Sequence, residues 1–264
     1  MSTAVHIGVI TKRNLLANLR LPDVLVLSTV QPVTFMLMFL YVFGGAIEYA
    51  LPPAAQGEYI NWLLPGIIAQ SAVFGSVPTA FGLNNDRASG VIDRFRSLPM
   101  ARSAVLAGRT IADLLRNAFI LTLQLSVGIA LGFRWQTSLF GMLAALAVAL
   151  AFGYACSWIM AAIGLAIRNA EAIQAAVYMV VFPLTLTSSV FLPTGTMPGW
   201  LAAFADRQPI TIVSNTLRGL TLGEDALPAG HTITGELLTT AAWTLGILAI
   251  FAPLAVRTYR RAVS

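Results

Sequence analysis

Long, nearly uncharged apolar stretches recur along this sequence and constrain its fold more than any other feature. A helix needs roughly 20 mostly apolar residues to cross the hydrocarbon core of a bilayer. Six stretches meet that requirement, at residues 24–45, 60–83, 106–133, 139–167, 172–192 and 233–256. Only 10% of all residues are charged and 57% are hydrophobic, whereas soluble domains carry about 25% charged residues. The sequence therefore predicts an all-α polytopic membrane protein with six transmembrane helices.

The distribution of Lys and Arg predicts the orientation. Six spans put both termini on one side of the membrane, and cytoplasmic segments are enriched in Lys and Arg. If both termini are cytoplasmic, all but three of the 16 Lys and Arg residues fall on the cytoplasmic side, the exceptions being Arg134, Arg207 and Arg218. We therefore expect a multi-pass protein of the plasma (inner) membrane. It would form one domain over residues 1–264, with an interfacial helix (1–23), a six-span core (24–256) and a cytoplasmic tail (257–264).

Two segments outside these spans have patterns of their own. Residues 4–21 alternate apolar with basic and amide side chains, which favours a helix lying along the cytoplasmic surface; the alternative is a solvated tail. The external segment 193–222 is apolar but is interrupted by Pro198 and Pro209. Neither half is long enough to cross the bilayer, so we expect two short re-entrant helices that dip into the outer leaflet before the last span.

A third segment, residues 84–102, connects the second and third spans on the cytoplasmic side. At 3.6 residues per turn, Val91, Phe95 and Leu98 form one apolar stripe. Gly90 is suited to a turn before this short helix, and Pro99 ends it. Such a helix could rest on the lipid surface, or it could fit a groove on a cytoplasmic partner.

The third predicted span begins with charged residues on one face. Arg109, Asp113 and Arg116 follow an i, i+4, i+7 spacing. They could form a ladder of ion pairs that anchors the helix end, or they could line the inner mouth of a translocation path. Glycines within the spans, Gly128 and Gly164 among them, indicate close helix packing.

Several kinds of chemistry have no counterpart in the sequence. It contains neither the GxxxxGK[ST] phosphate-binding loop nor a GxSxG or HExxH motif. With one cysteine, Cys156, and two distant histidines, it has no basis for a disulfide or a zinc site. Ionisable residues deep in the spans are too scarce for an ion relay. We therefore expect a protein that is not an enzyme and that binds no metal or cofactor, and an ion-coupled carrier is disfavoured.

Two runs of residues resemble one family of transporters. The cytoplasmic run is similar to the signature of type-2 ABC exporter permeases, and it consists of Arg87, Gly90, Ile92, Asp93, Arg94, Phe95, Pro99, Arg102, Gly108 and Arg109. The external run resembles the daunorubicin-resistance branch of drug-export permeases, and it consists of Phe191, Pro193, Met197, Pro198, Trp200, Leu201, Gln208 and Pro209. Many relatives have a glutamate directly after the signature arginine, where this chain has Ala88, so any role of that acid falls to Asp86 or Asp93 or is missing.

The resemblance implies a permease domain that exports amphipathic or hydrophobic compounds, drug or lipid-like. It implies a partner ATPase subunit that holds ATP and Mg, and a second identical or paralogous permease, but no nucleic acid. The resemblance carries Arg87, Gly90, Arg94 and Pro99 over to ATPase coupling. Together with the amphipathic pattern, it predicts a coupling site that consists of Arg87, Gly90, Val91, Asp93, Arg94, Phe95, Leu98 and Pro99. The alternatives are a non-transporting membrane binding or immunity protein and an ion-coupled carrier.

Polar side chains scattered through the apolar spans bear on the substrate. They are Gln70, Ser71, Thr122, Gln124, Gln174 and Thr185. Such a lining suits an amphipathic ligand drawn from the inner leaflet, and the same side chains could instead form hydrogen bonds between helices.

Overall fold

The computed structural model describes residues 3–19, 22–47, 51, 58–90 and 102–262, and within these residues the chain is helical with no strand. The helices are α1 (Thr3–Leu19), α2 (Pro22–Met38), α3 (Gly44–Ile47), α4 (Tyr59–Phe74), α5 (Val77–Ala88), α6 (Arg102–Ala130), α7 (Leu139–Ala166), α8 (Ala170–Leu186), α9 (Gly199–Ala205), α10 (Pro209–Leu222) and α11 (Ile233–Ala262). A π-helical turn, Phe39–Phe43, joins α2 to α3. The predicted all-α class is confirmed for this part of the chain.

Five helical stretches in the described residues are long and apolar enough to cross a membrane. They are Thr29–Ile47, Tyr59–Ala88, Leu106–Ala130, Leu139–Ala166 and Ile233–Tyr259. Each falls on one of the predicted windows, because apolar length and a self-satisfied helical backbone are the two requirements of a span.

The window predicted at 172–192 differs from the other five. Its helix, α8, has 17 residues and ends at Leu186, so the prediction of a continuous helix to residue 192 is wrong. The hydroxyl of Thr187 donates to the carbonyl of Pro183 at 2.8 Å, and that of Ser188 donates to the carbonyl of Thr185. These bonds satisfy carbonyls that end the helix, and the chain then turns toward α9.

Helix α7 lies at the centre of the bundle, in contact with α4, α5, α6, α10 and α11. The main apolar core surrounds it, and a second, smaller core joins Ile10, Leu83, Leu106, Leu165 and Tyr259 at one end of the bundle. The end of α5, the start of α6 and the ends of α7 and α11 therefore share one end of the molecule.

Two of the three segments outside the predicted spans, residues 4–21 and 193–222, contain helices as predicted. Helix α1 packs along α6, and the hydroxyl of Thr11 donates to the carbonyl of Gly108 at 3.1 Å. The segment predicted to be external forms two short helices, α9 and α10, which begin directly after Pro198 and at Pro209. Proline suits the first turn of a helix because its missing N–H has no partner there.

Candidate functional site: an apolar cavity at a break in the second span

The second long apolar helix is broken in its middle, at Gly75 and Ser76, between α4 and α5. Pro78 lies in the first turn of α5 and has no N–H to continue the hydrogen bonding of α4. The hydroxyl of Ser76 donates to the carbonyl of Val73 at 2.6 Å, which satisfies one carbonyl at the break. Other backbone carbonyls at the break need partners from neighbouring helices.

A cavity of about 290 Å³ opens beside this break, between α2, α4, α5, α6 and α8. Its walls are mainly apolar and aromatic. The lining residues are Gln31, Pro32, Phe35, Gln70, Ser71, Phe74, Gly75, Val77, Pro78, Phe81, Arg116, Asn117, Ile120 and Tyr178. Ligand sites typically combine such apolar walls with a few convergent polar groups.

Arg116 is the charged residue of this wall, and the break explains its position. One of its terminal nitrogens donates to the carbonyl of Gly75 at 2.8 Å, and the other lies 3.5 Å from the carboxylate of Asp113. The second carboxylate oxygen of Asp113 accepts a hydrogen bond from Thr79 at 2.6 Å. A buried charge is tolerated where it is paired and hydrogen-bonded, so Arg116 both neutralises Asp113 and satisfies the broken backbone.

Asn117 follows Arg116 and holds α6 close to α4, and the sequence reasoning missed it. A Cβ built on Gly75 would lie 1.7 Å from its side-chain oxygen, so only glycine permits this approach. The Asn117 amide nitrogen lies 3.5 Å from the carbonyl of Ala72. The sequence did contain a signal for Asn117, since this amide directly follows Arg116 within a predicted span.

The predicted ladder of ion pairs on α6 forms only in part. Asp113 and Arg116 pair, but Arg109 does not pair with Asp113, and it does not line the cavity. Its guanidinium instead donates to Asp86 of α5 at 2.7 Å, and Arg13 of α1 lies 3.3 Å from the other oxygen of that carboxylate. The predicted ladder is therefore wrong for Arg109, because the carboxylate of Asp86 on α5 lies closer to it than that of Asp113 on α6.

Arg87 of the cytoplasmic signature, and Asn84 three residues before it, are in contact with the end of α7. Arg87 donates to the carbonyl of Leu165 at 2.9 Å, and Asn84 donates to the carbonyls of Ile167 and Arg168 at 2.9 and 3.0 Å. Both side chains thereby cap the last turn of α7.

Gly90 has a φ of 68°, a left-handed conformation that glycine adopts readily, so the chain turns there as predicted. The rest of the predicted coupling helix lies outside the described residues; these positions are Val91, Asp93, Arg94, Phe95, Leu98 and Pro99.

The polar side chains proposed as a lining behave differently from one another. Gln70 and Ser71 line the cavity. Thr122 and Thr185 donate to carbonyls of their own helices, Gln124 is buried away from the cavity, and Gln174 is exposed. In the part of the chain that the structure describes, no group of three His, Cys, Asp or Glu side chains is placed to hold a metal ion.

Arg218 of α10, which the sequence analysis counted among the basic residues of the external side, is fully buried. Its guanidinium lies 3.6 Å from the centroid of the Trp62 ring and donates to the Trp62 carbonyl at 3.1 Å. It also donates to the carbonyls of Ser189 and Val190 at 2.7 and 3.3 Å. Arg218 thereby fixes the turn after α8 against α4.

Comparison with known proteins places these features among transporter permeases. The sequence matches the ABC-2 type transporter family over residues 5–222. It is 36% identical over 248 residues to the daunorubicin resistance ABC transporter permease protein DrrB1 of Streptomyces coeruleorubidus, covering 94% of this chain and 83% of that protein. It is also similar to two Mycobacterium tuberculosis proteins. One is the probable doxorubicin resistance ABC transporter permease protein DrrC, at 27% identity over 89% of this chain and 81% of that protein. The other is the doxorubicin resistance ABC transporter permease protein DrrB, at 26% identity over 86% of this chain and 80% of that protein.

Proposed function

This chain belongs to the ABC-2 type transporter family, and on that premise we propose how its residues serve transport. It is a multi-pass membrane permease subunit of an ABC transporter and is not itself the catalytic subunit. We propose that it exports amphipathic or hydrophobic compounds, driven by a separate ATPase subunit that binds ATP and Mg, and that it works as a pair of identical or paralogous permeases.

The cavity beside the break in the second span carries the proposal about substrate. Phe35, Phe74, Phe81 and Tyr178 give it an apolar, aromatic wall, and Arg116 gives it one polar end. A compound with an apolar body and a polar group matches both parts of this lining. The relatives named for resistance to daunorubicin and doxorubicin support this proposal.

Filling the cavity tests this assignment. In cells that also express the cognate ATPase, Gln70→Phe would occupy space at the cavity wall, and we expect efflux of daunorubicin to fall about tenfold. The matched control is Thr122→Phe, which adds the same ring at an exposed position of α6. Equal efflux in both variants, at equal membrane levels, would reject the cavity as the transport site.

We also propose the full six-span layout with cytoplasmic termini. A helix of 17 residues at 1.5 Å per residue is about 26 Å long, which lies at the lower limit for a span, so α8 can serve as the fifth crossing. Helices α9 and α10 would then be the re-entrant pair. The position of the charged residues supports this arrangement, since Arg13, Asp86 and Arg109 lie together at one end of the bundle.

Cysteine labelling tests the orientation. In a Cys156→Ala background, we expect a membrane-impermeant maleimide to label Ala229→Cys from outside intact cells and to leave Lys12→Cys unlabelled until the cells are opened. Both positions are exposed. Labelling of Lys12→Cys in intact cells would overturn the orientation.

For coupling to the ATPase, we propose the segment 91–98, with Val91, Phe95 and Leu98 as apolar anchors and Arg87 and Arg94 beside them. Truncating a buried aromatic anchor typically costs about 2 kcal/mol of binding, so Phe95→Ala should weaken capture of the ATPase about thirtyfold. Arg94→Glu should weaken it in a salt-dependent way. Undiminished capture and export in both variants, at normal membrane levels, would place the coupling surface elsewhere.

A further inference from the structure

Three polar side chains of the cavity wall are incompletely hydrogen-bonded. Ser71, Arg116 and Asn117 are 4%, 6% and 2% exposed. Among the described residues, the Oγ of Ser71, the Nε of Arg116 and the Oδ1 of Asn117 have no hydrogen-bond partner. Buried polar atoms nearly always have partners, and these three unpartnered atoms belong to residues that line the same cavity.

Ser71 is the clearest of the three when compared with other hydroxyls in the spans. Ser126, Ser157 and Thr185 each donate to the carbonyl four residues earlier in the same helix. Hydroxyl groups in membrane helices usually form such bonds. Ser71, a residue of the cavity lining, makes none among the described residues.

The charge at this polar end is balanced. Arg116 lies 3.5 Å from the carboxylate of Asp113, and both side chains are buried. A ligand group that reaches these side chains would meet a donor at Arg116, an acceptor at Asn117 and a hydroxyl at Ser71, without a net charge to neutralise. A cationic group would face the guanidinium, and an anionic group would lose its hydration beside a pair that is already neutral.

We propose that the polar end of this cavity binds a neutral group that both accepts and donates hydrogen bonds, such as a carboxamide or a hydroxy-carbonyl, on a compound whose aromatic body packs against Phe74 and Tyr178. This proposal rests on the proposed function of the cavity as the transport site. The rings of Phe74 and Tyr178 lie 6.2 Å apart between centroids and come from α4 and α8. An aromatic body in contact with both would bury its apolar surface while its polar group reaches Ser71.

Binding of three probes with the same ring system tests the proposal. The probes are 2-naphthamide, 2-naphthoate and (2-naphthylmethyl)trimethylammonium, measured by naphthalene fluorescence on the full-length permease in nanodiscs, with empty nanodiscs subtracted. We expect the carboxamide to bind about tenfold more tightly than either charged probe. Ser71→Ala should weaken carboxamide binding about threefold to tenfold, as expected for one lost hydrogen bond, and should leave the charged probes unchanged.

The matched control is Ser157→Ala, which removes a buried hydroxyl that bonds within α7 and does not line the cavity. It should bind all three probes like the unaltered chain. The proposal is overturned if the carboxylate or ammonium probe binds most tightly, or if Ser71→Ala and Ser157→Ala behave alike.

Phe74→Ala separates this inference from the function on which it rests. Weaker binding of all three probes keeps the cavity as the binding site, whereas unchanged binding removes the cavity and this proposal together.

Discussion

The carboxylate of Asp86, near the end of α5, accepts a hydrogen bond from the guanidinium of Arg109 in α6 at 2.7 Å. Both side chains are largely buried, at 16% and 17% exposed. This ion pair bridges the two helices that flank the predicted coupling segment 91–98. A force applied to that segment would therefore be transmitted to α5 and α6 together.

Double-mutant cycles should distinguish the two arginines that contact Asp86. Arg13 lies farther away, at 3.3 Å, and is 45% exposed. We expect a coupling energy of about 1–2 kcal/mol between Asp86→Ala and Arg109→Ala, and less than about 1 kcal/mol between Asp86→Ala and Arg13→Ala. The measurement is unfolding in detergent micelles at low and high salt, and salt should reduce the Arg13 coupling more. Equal couplings would contradict the geometry.

Gly164 of α7 should tolerate no side chain, because it packs against the backbone of α5. A Cβ at this position would lie 2.3 Å from the carbonyl oxygen of Ala80 and 2.7 Å from its Cα. Backbone cannot rotate away as a side chain can, so Gly164→Ala should lower the free energy of unfolding by about 2 kcal/mol or more. Gly246→Ala on α11 is the control, since it would meet nothing within 4 Å. Similar melting temperatures for the two variants would show that α5 and α7 can separate at little cost.

Arg218→Lys should be poorly tolerated although it keeps the charge. The guanidinium donates to five acceptors around Trp62, Ser189 and Asn215, and an ammonium with three donors cannot reproduce that geometry. We expect a loss of about 3 kcal/mol, read as a lower melting temperature and lower membrane yield. Arg207→Lys, at an exposed position, should change neither quantity. A normal yield of Arg218→Lys would mean that charge alone holds the turn after α8.

Gln124→Leu should stabilise the fold. Gln124 is 1% exposed, and neither its amide nitrogen nor its oxygen has a partner among the described residues. Replacing an unpaired buried amide with an apolar group of similar size should raise the free energy of unfolding by about 1 kcal/mol. Gln174→Leu, at an exposed position, is the control, and a destabilised Gln124→Leu would reveal a hydrogen bond that this structure lacks.

Apolar length predicted the helices well because a span is a local property of the chain. The window 139–167 corresponds to α7, Leu139–Ala166. The window 106–133 begins inside α6, Arg102–Ala130, and ends just after it. Prolines likewise marked the starts of α9 and α10. In each case the decisive interactions lie within a few residues in the sequence.

The predictions that were wrong concern contacts between helices. The window 172–192 gave a helix ending at Leu186, since hydroxyls at Thr187 and Ser188 close it and Arg218, from another helix, binds the carbonyls that follow. Arg109 was expected to pair along its own helix, and its partner Asp86 is 23 positions away. Spacing along one helix carries no information about a carboxylate on its neighbour.

The sequence by itself determined a helical membrane protein and its resemblance to exporter permeases, because bilayer thickness and backbone hydrogen bonding act on each segment separately. Only the tertiary structure decided that the second span breaks against Arg116, that Ser71 and Asn117 join it on one cavity wall, and that Arg218 is buried. The physical reason is that a polar side chain in an apolar environment takes the partner that helix packing brings within hydrogen-bond distance, and that partner is set by which helices meet.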